Sequence, residues 1–170
     1  HAFHRMASPR PSKGRTHLSN CIEHMTTVQP EWIDHNGHMN VAYYVVAFDE
    51  ATDAIYEHWG LGLEYPEVSG CSVFTLGMNV DYLAELFEND PIRISTDLVE
   101  VDEKRIHYFH QMYHADTGKL VARNECLCMN VNLDSRRSEP FPPDVLEILE
   151  AARSESEPPD GFARKLEIGG

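Results

Sequence analysis

The sequence predicts an α+β domain in which a curved antiparallel sheet is wrapped around one long central helix. The first observation is the stretch 41–59, where apolar residues recur at three- and four-residue steps, as on the buried face of a helix. The second is the series of strand-like segments that follows, separated by short turns rich in Gly, Asp or Pro. One strand, one helix and then strands in hairpin succession place one face of a sheet against the helix.

The central helix is predicted over Val41–Trp59. Asn40 is a favourable N-cap, because its side-chain oxygen can accept a hydrogen bond from a free amide of the first turn. Gly60 and Gly62 supply the left-handed conformation with which helices often end. The apolar arc is wide, which suits burial inside a curved sheet better than a surface position.

Five strands are predicted, one before the helix and four after it. They are rich in β-branched and aromatic residues or alternate apolar with polar positions, and they cover Ile22–Val28, Ser72–Leu86, Ile92–Val101, Arg105–His114 and Lys119–Leu133. Residues 61–70, which contain Gly, Pro and Ser, are predicted as a connection to the next strand. Asp144 can cap a short helix that ends near Ala152.

The 170 residues fit one domain. Residues 1–20 are rich in Pro, Ser and basic side chains and predict a flexible N-terminal tail, and residues 153–170 predict a C-terminal tail. The folded domain is therefore expected over residues 21–152.

Composition excludes several classes of partner. The formal net charge of −14 argues against nucleic acid and against an anionic membrane surface, because phosphate binding needs a basic face. No apolar run approaches the roughly twenty residues of a membrane span. The four cysteines form no C-x-x-C pair and no signal-like segment opens the chain, which predicts reduced thiols and a cytoplasmic protein.

Asp34, Asn36, His38 and Asn40 occupy every second position immediately before the central helix. Such residues are common caps, which is the structural interpretation. The functional interpretation is that free amides and the positive end of the helix dipole stabilise a developing oxyanion, while a neighbouring carboxylate activates water or attacks directly. That combination is suited to acyl transfer.

The pattern Asp34-x-Asn36-x-His38-x-Asn40-x-x-x-Tyr44 resembles the motif of hotdog-fold acyl-CoA thioesterases of the 4-hydroxybenzoyl-CoA type. More narrowly, PEWIDHNGHMN, FDEATDAI and YHADTGKLVA resemble the betainyl-CoA thioesterases associated with L-carnitine dehydrogenase, over about Met25 to Leu149. The resemblance implies a hotdog fold and a homodimer or dimer of dimers with active sites shared between chains.

The resemblance also implies hydrolysis of an acyl-CoA thioester, such as betainyl-CoA in carnitine breakdown, to the free acid and coenzyme A. Asp34 is the expected general base or nucleophile, with Asn36 and His38 beside it as catalytic residues. Substrate-binding roles are expected for Asn40, Tyr44, His107 and His110. No cofactor is expected, since coenzyme A is part of the substrate.

The ten histidines do not predict a metal site. On a strand His107 faces away from His110 and His114, and no Cys/His cluster has zinc spacing. Two other functions are compatible with the sequence. A hydratase of the same fold carries D-x-N-P-x-H, whereas here the acid-to-histidine spacing is one residue shorter and no proline follows Asn36. A non-catalytic acyl-CoA-binding module would bind without releasing thiol.

The acid surplus is unfavourable for a polyanionic ligand such as coenzyme A, so local basic residues must hold its phosphates. The candidates are Arg93, Lys104, Arg105, Arg123, Arg136 and Arg137. A trimethylammonium acyl group would instead need aromatic faces, for which the candidates are Trp32, Tyr43, Trp59 and Tyr82.

Overall fold

The computed structural model describes residues 22–155 and 165–169. In chain order the elements are β1 (Glu23–Thr27), a 3₁₀ turn (Pro30–Trp32), α1 (Val41–His58), α2 (Tyr65–Ser69), β2 (Cys71–Tyr82), β3 (Pro91–Val101), β4 (Arg105–His114), β5 (Leu120–Asn132) and α3 (Pro143–Glu155). The predicted N-terminal tail lies outside the described residues.

The five strands form one antiparallel sheet in the order β1-β3-β4-β5-β2. The register shifts between Thr75 and Gly77 in β2 and between Leu98 and Glu100 in β3. Such bulges add twist and bend the strands that carry them, which lets the sheet curve. The structure confirms the hotdog fold: a curved antiparallel sheet around one long helix.

The buried face of α1 packs against the concave face of the sheet. Its buried residues are Tyr44, Ala47, Phe48, Ala51 and Ile55. Phe48 stacks on the His110 ring of β4 with 5.5 Å between ring centroids. Two apolar clusters result, one toward each end of the helix. Hydrophobic burial therefore fixes the axis of α1, and with it the position of the loop that precedes the helix.

The structure adds one short helix and corrects two predicted boundaries. The connection 61–70 contains α2, which begins after Glu64 and ends at the left-handed Gly70. Strand β2 ends at Tyr82 rather than Leu86, because the Leu83 and Ala84 amides both donate to Val121 O and so leave the strand ladder. Helix α3 begins at Pro143 and continues to Glu155, beyond the predicted end near Ala152.

Residues 165–169 lie against the convex face of the sheet. The Lys165 and Leu166 amides donate to the buried Glu125 carboxylate at 3.0 and 2.8 Å, and Arg105 donates to Gly169 O at 2.7 Å. This part of the predicted C-terminal tail is therefore hydrogen-bonded to β4 and β5. Within the described ranges, no helix is long and apolar enough to cross a membrane.

Candidate active site

Residues 33–40 form a closed loop before α1. Ile33 and Met39 pair as an antiparallel bridge, and the Asp34 amide donates to His38 O at 3.1 Å. The Gly37 amide donates back to Asp34 O at 3.0 Å. Gly37 has φ +81°, a conformation that residues with a Cβ rarely adopt, so a glycine allows the loop to turn back within so few residues.

Two contacts anchor this loop to the body of the domain. Trp32 is buried and stacks on Tyr43 of α1, with 5.7 Å between ring centroids, and its carbonyl accepts the Asn40 amide at 2.9 Å. On the other side, the Met39 amide donates to Leu86 O at 2.8 Å. The loop is therefore held between the start of α1 and the β2–β3 connection.

The Asp34 carboxylate is fixed by two donors. Asp34 Oδ1 accepts the Asn36 amide at 2.8 Å, and Oδ2 accepts the Asn40 side-chain amide at 3.2 Å. The pKa of Asp34 lies below its usual value, chiefly because the Asn36 amide binds the ionised form, with contributions from Asn40 and from the nearby His38 and His35. The carboxylate is therefore ionised at neutral pH, as a nucleophile or general base must be.

Asn40 uses both ends of its side-chain amide. Its Oδ1 accepts the Ala42 amide at 3.0 Å as the N-cap of α1, while its Nδ2 donates to Asp34. The Tyr43 amide donates to the Asn40 backbone carbonyl at 3.0 Å. One side chain thus caps the helix and positions the carboxylate.

The first turn of α1 presents one open amide, on the residue that follows Asn40, whose side chain binds this carboxylate. The cap binds the Ala42 and Tyr43 amides, but the Val41 amide has no acceptor within the described part of the chain. Val41 lies at the positive end of an 18-residue helix, where an N–H group attracts negative charge. This amide can bind a carbonyl oxygen as that oxygen becomes an oxyanion.

A cleft of about 280 Å³ opens next to the loop. Its lining residues come from the motif, from α1 and from the end of β2: His38, Met39, Val41, Tyr44, Tyr82, Leu83, Ala84 and Glu85. The His38 Nδ1–H group donates to Met39 O at 3.1 Å, which leaves Nε2 facing the Glu85 carboxylate at 3.8 Å. His38 therefore contributes a polar edge to a largely apolar cleft.

Tyr44 also lines the cleft, but its hydroxyl group forms a hydrogen bond within the fold. The group is buried and donates to Ala84 O at 3.0 Å, and burial raises the pKa of Tyr44 to about 12. The Tyr82 ring meets Tyr44 edge to face at 5.3 Å, and its own hydroxyl donates to Val41 O at 3.2 Å. Tyr44 holds the wall of the cleft, and Tyr82 offers the exposed aromatic surface.

The structure brings neither His107 nor His110 to the Asp34 loop of the same protomer. His110 is buried under α1, where its nitrogens meet Thr52 at 2.9 Å and Thr96 at 2.8 Å. Burial lowers the pKa of His110 to about 3, so the ring is neutral. Thr52 lies about 18 Å along the helix from Asn40, given a rise of about 1.5 Å per residue.

His107 lies on the convex face of the sheet and is also buried. It contacts the Glu125 carboxylate at 2.9 Å and Glu100 at 3.4 Å. These contacts give both predicted substrate-binding histidines partners within the fold. Among the described residues, no group of three or more His, Cys, Asp or Glu side chains could hold a metal ion.

The sequence analysis expected free amides at the start of α1 and named Tyr82 as an aromatic candidate, but it did not single out the Val41 amide or place Tyr82 in the cleft. It missed Glu85 beside His38 altogether. The Asn40 cap was a usable signal for Val41, since it defines which first-turn amides are occupied. No sequence signal places residues 82–85 against the motif, because that contact depends on long-range hydrogen bonds.

Comparison with known proteins agrees with this geometry. Residues 28–149 match the family model described as the thioesterase-like superfamily. The betainyl-CoA thioesterase of Pseudomonas aeruginosa is 40% identical over 126 residues, which are 74% of this chain and 79% of that protein. The L-carnitine dehydrogenase/betainyl-CoA thioesterase of Rhizobium meliloti is 30% identical over 83% of this chain, and the matched region spans 29% of that longer protein.

Solved structures share the fold. A hypothetical protein from Staphylococcus aureus in complex with CoA superposes with a TM-score of 0.77 at 31% identity, over 89% of this chain and 97% of that one. A 1,4-dihydroxy-2-naphthoyl-CoA thioesterase from Synechocystis has a TM-score of 0.67 at 16% identity, over 78% of this chain and 94% of that one. The chain belongs to the thioesterase-like superfamily of hotdog-fold proteins. Within that superfamily it is a thioester-hydrolysing enzyme.

Asn40→Asp tests the double role of Asn40. Aspartate is as good an N-cap as asparagine, so α1 should keep its cap and the domain its fold. Repulsion between the two carboxylates should lower the free energy of unfolding at neutral pH in proportion to the rise of the Asp34 pKa. The Asp34 carboxylate, however, would exchange a donor for a like charge, which raises its pKa. If Asp34 is the base or nucleophile, activity needs the ionised acid and is lost as the pH falls through that pKa. The acid limb of the pH–kcat/KM profile should therefore move up by about one pH unit or more. An unchanged acid limb would show that Asn40 does not control Asp34.

Proposed function

We propose that Asp34 and the Val41 amide together carry out acyl-CoA thioester hydrolysis in this enzyme. The observation that supports the proposal is the pairing of an ionised, hydrogen-bonded carboxylate with an open amide at the positive end of α1. In this assignment the thioester carbonyl oxygen accepts the Val41 N–H, and the carbonyl carbon faces Asp34.

The reaction can then follow either of two routes. Asp34 takes a proton from water, whose oxygen attacks the carbonyl carbon, or the carboxylate attacks first and water hydrolyses the resulting anhydride. In both routes the C–S bond breaks and coenzyme A leaves as a thiolate, which is a good leaving group. Asn36 fixes the carboxylate through its backbone amide. His38 orients the water or the thioester from the edge of the cleft.

Asp34→Asn should preserve the fold and lose turnover. An amide of the same shape can still accept one hydrogen bond but can neither take a proton from water nor attack a carbonyl. Removing the base or nucleophile should lower kcat by roughly 10² to 10⁴ while changing KM far less. Thiol release from acyl-CoA measures the loss. Asp116→Asn in the exposed β4–β5 turn makes the same chemical change and should leave kcat unaltered. Near-normal turnover by Asp34→Asn would reduce Asp34 to a structural residue.

The proposed substrate is betainyl-CoA, on the strength of the similarity to betainyl-CoA thioesterases. A trimethylammonium group is stabilised by aromatic faces and negative charge. Of the four aromatic candidates, Trp32 and Tyr43 stack on each other outside the cleft, and Trp59 is buried at the far end of α1 against Tyr108. Tyr82 remains, exposed in the cleft near the Glu85 carboxylate.

The role of the acyl charge can be measured with a neutral isostere. Betainyl-CoA and 3,3-dimethylbutanoyl-CoA have the same branched shape, but only the first is cationic. We expect kcat/KM to favour betainyl-CoA by about tenfold or more, the size of a cation–π contact of one to two kcal/mol. Tyr82→Leu should reduce this preference, whereas Tyr82→Phe keeps the ring and should retain most of it. Equal rates for the two thioesters would exclude charge recognition while leaving the thioesterase assignment intact.

We further propose a homodimer formed through β2. This strand lies at the edge of the sheet, so its outer backbone groups have no neighbouring strand in the described chain, and it is 12 residues long against five for the other edge, β1. Its exposed apolar side chains include Leu76 and Met78, which are 51% and 41% accessible. A second copy, paired antiparallel along β2 about a two-fold axis near the middle of the strand, would cover both.

Light scattering at micromolar concentration should give twice the 19.4 kDa chain mass. Leu76→Asp places an acid near its own symmetry copy and should shift the protein toward the monomer. Leu63→Asp is the same change at a residue 88% accessible outside β2, and it should leave the dimer intact. A wild-type monomer would contradict the proposal, and an intact Leu76→Asp dimer would place the interface elsewhere.

The remaining elements of the proposal follow from this chemistry. The substrate is a small-molecule acyl-CoA, and no cofactor, nucleic acid or membrane partner is required. A cytoplasmic location suits an acyl-CoA substrate and the free thiols of Cys71, Cys126 and Cys128.

A further inference from the structure

We infer that Arg136 and Arg137 of one protomer bind the phosphate groups of the coenzyme A whose thioester lies in the cleft of the partner. This assignment rests on the proposed acyl-CoA hydrolysis and on the β2 dimer. A chain with a net charge of −14 repels a polyanionic substrate, so it needs a local positively charged site to bind the phosphates.

The other basic candidates already have partners. Arg93 pairs with Glu23 and lies over the Tyr113 ring, Lys104 approaches Glu103, and Arg105 binds Asp102. Arg123 has interactions of its own within the fold. Arg136 and Arg137 are exposed, and neither forms an ion pair with a carboxylate in the part of the chain that the structure describes. These two guanidinium groups are therefore available for phosphate, which arginine binds in a bidentate geometry.

The two arginines are held by a structured turn after β5. Asn132 organises it: its backbone amide donates to Arg137 O at 2.9 Å, and its carbonyl accepts the Arg136 amide at 2.9 Å. Its side-chain oxygen accepts the amides of Asp134 and Ser135 at 3.0 and 2.9 Å. Arg136 has φ +58°, a left-handed conformation that is uncommon for a residue with a long side chain. The backbone of the turn is thus fixed before any ligand binds.

Strand register determines which cleft this turn can serve. Asn132 pairs with Cys71 at the start of β2, whereas Tyr82 at the end of β2 lines the cleft. At about 3.3 Å per residue, the turn lies about 35 Å from the cleft of its own protomer. Antiparallel pairing of two β2 strands brings the partner's turn to the Tyr82 end. In such a dimer the partner's turn lies about 10 Å from Tyr82, which is two strand spacings across the sheet.

The test compares a coenzyme A thioester with the pantetheine thioester of the same acyl group, which lacks the nucleotide and its phosphates. In the double variant Arg136→Gln/Arg137→Gln, KM for the coenzyme A thioester should rise roughly ten- to a hundredfold. Turnover of the pantetheine thioester should not change. Arg153→Gln on α3 removes one positive charge elsewhere and should alter neither value. An unchanged KM for the coenzyme A thioester would overturn the assignment.

Calorimetric titration with coenzyme A itself gives a readout that does not depend on turnover. The double variant should lose affinity by a similar factor, and the wild-type affinity should weaken as salt is added. If the wild type bound coenzyme A through these arginines but hydrolysed no thioester, the proposed hydrolysis would be wrong. The assignment of the phosphate site would still hold. Equal affinity of the wild type and the double variant would overturn the site.

Mixed dimers test whether the arginines act across the interface. Asp34→Asn chains keep both arginines, and Arg136→Gln/Arg137→Gln chains keep Asp34. If each cleft uses the arginines of its partner, dimers of one chain of each kind contain one complete site. Refolding the two inactive or weakened proteins together should then restore turnover at low coenzyme A thioester concentration. Failure to recover turnover in verified heterodimers would overturn the assignment to the partner.

Discussion

The Asn40 side chain joins the Asp34 carboxylate to the end of α1, and the arrangement of the site depends on that link. Its oxygen caps the helix and its nitrogen binds the acid. Loss of either contact would separate a negative charge from the amides that an oxyanion requires. The same capping leaves the Val41 amide open, since the cap occupies the two amides that follow. A structural cap and a candidate catalytic arrangement are thus one set of hydrogen bonds.

The fold supplies the rigidity that this set of bonds needs. Phe48 and the alanines of α1 lie against the sheet, and neutral His110 bridges Thr52 and Thr96 beneath the helix. These contacts fix the axis of α1, although they lie far from the Asp34 loop. At the other end, the Met39 amide ties the motif loop to the β2–β3 connection. The site therefore lies where one helix end meets one edge strand, the same strand that is open to a second copy.

The sequence predicted the parts of this structure that depend on local patterns. Helical periodicity and the Asn40 cap predicted α1 to within one residue, and strand alternation correctly placed His107 and His110 on opposite faces. It could not predict that β2 ends at Tyr82, because that end is set by hydrogen bonds to Val121, nearly forty residues later. It also could not show that the Lys165 and Leu166 amides bind Glu125, since only the folded sheet buries that carboxylate. All the residue roles remain predictions: catalytic for Asp34, Asn36 and His38, and substrate-binding for Asn40, Tyr44, His107 and His110.

The most direct measurement is a crystal structure with a ketone analogue of the substrate, in which a methylene group replaces the thioester sulfur and cannot be cleaved. The account predicts that the carbonyl oxygen lies within about 3.2 Å of the Val41 nitrogen. It also predicts that the Asp34 carboxylate faces the carbonyl carbon directly or through one water molecule. A carbonyl oxygen bound away from the first turn of α1, with Asp34 out of reach, would contradict the assignment of this loop as the catalytic site.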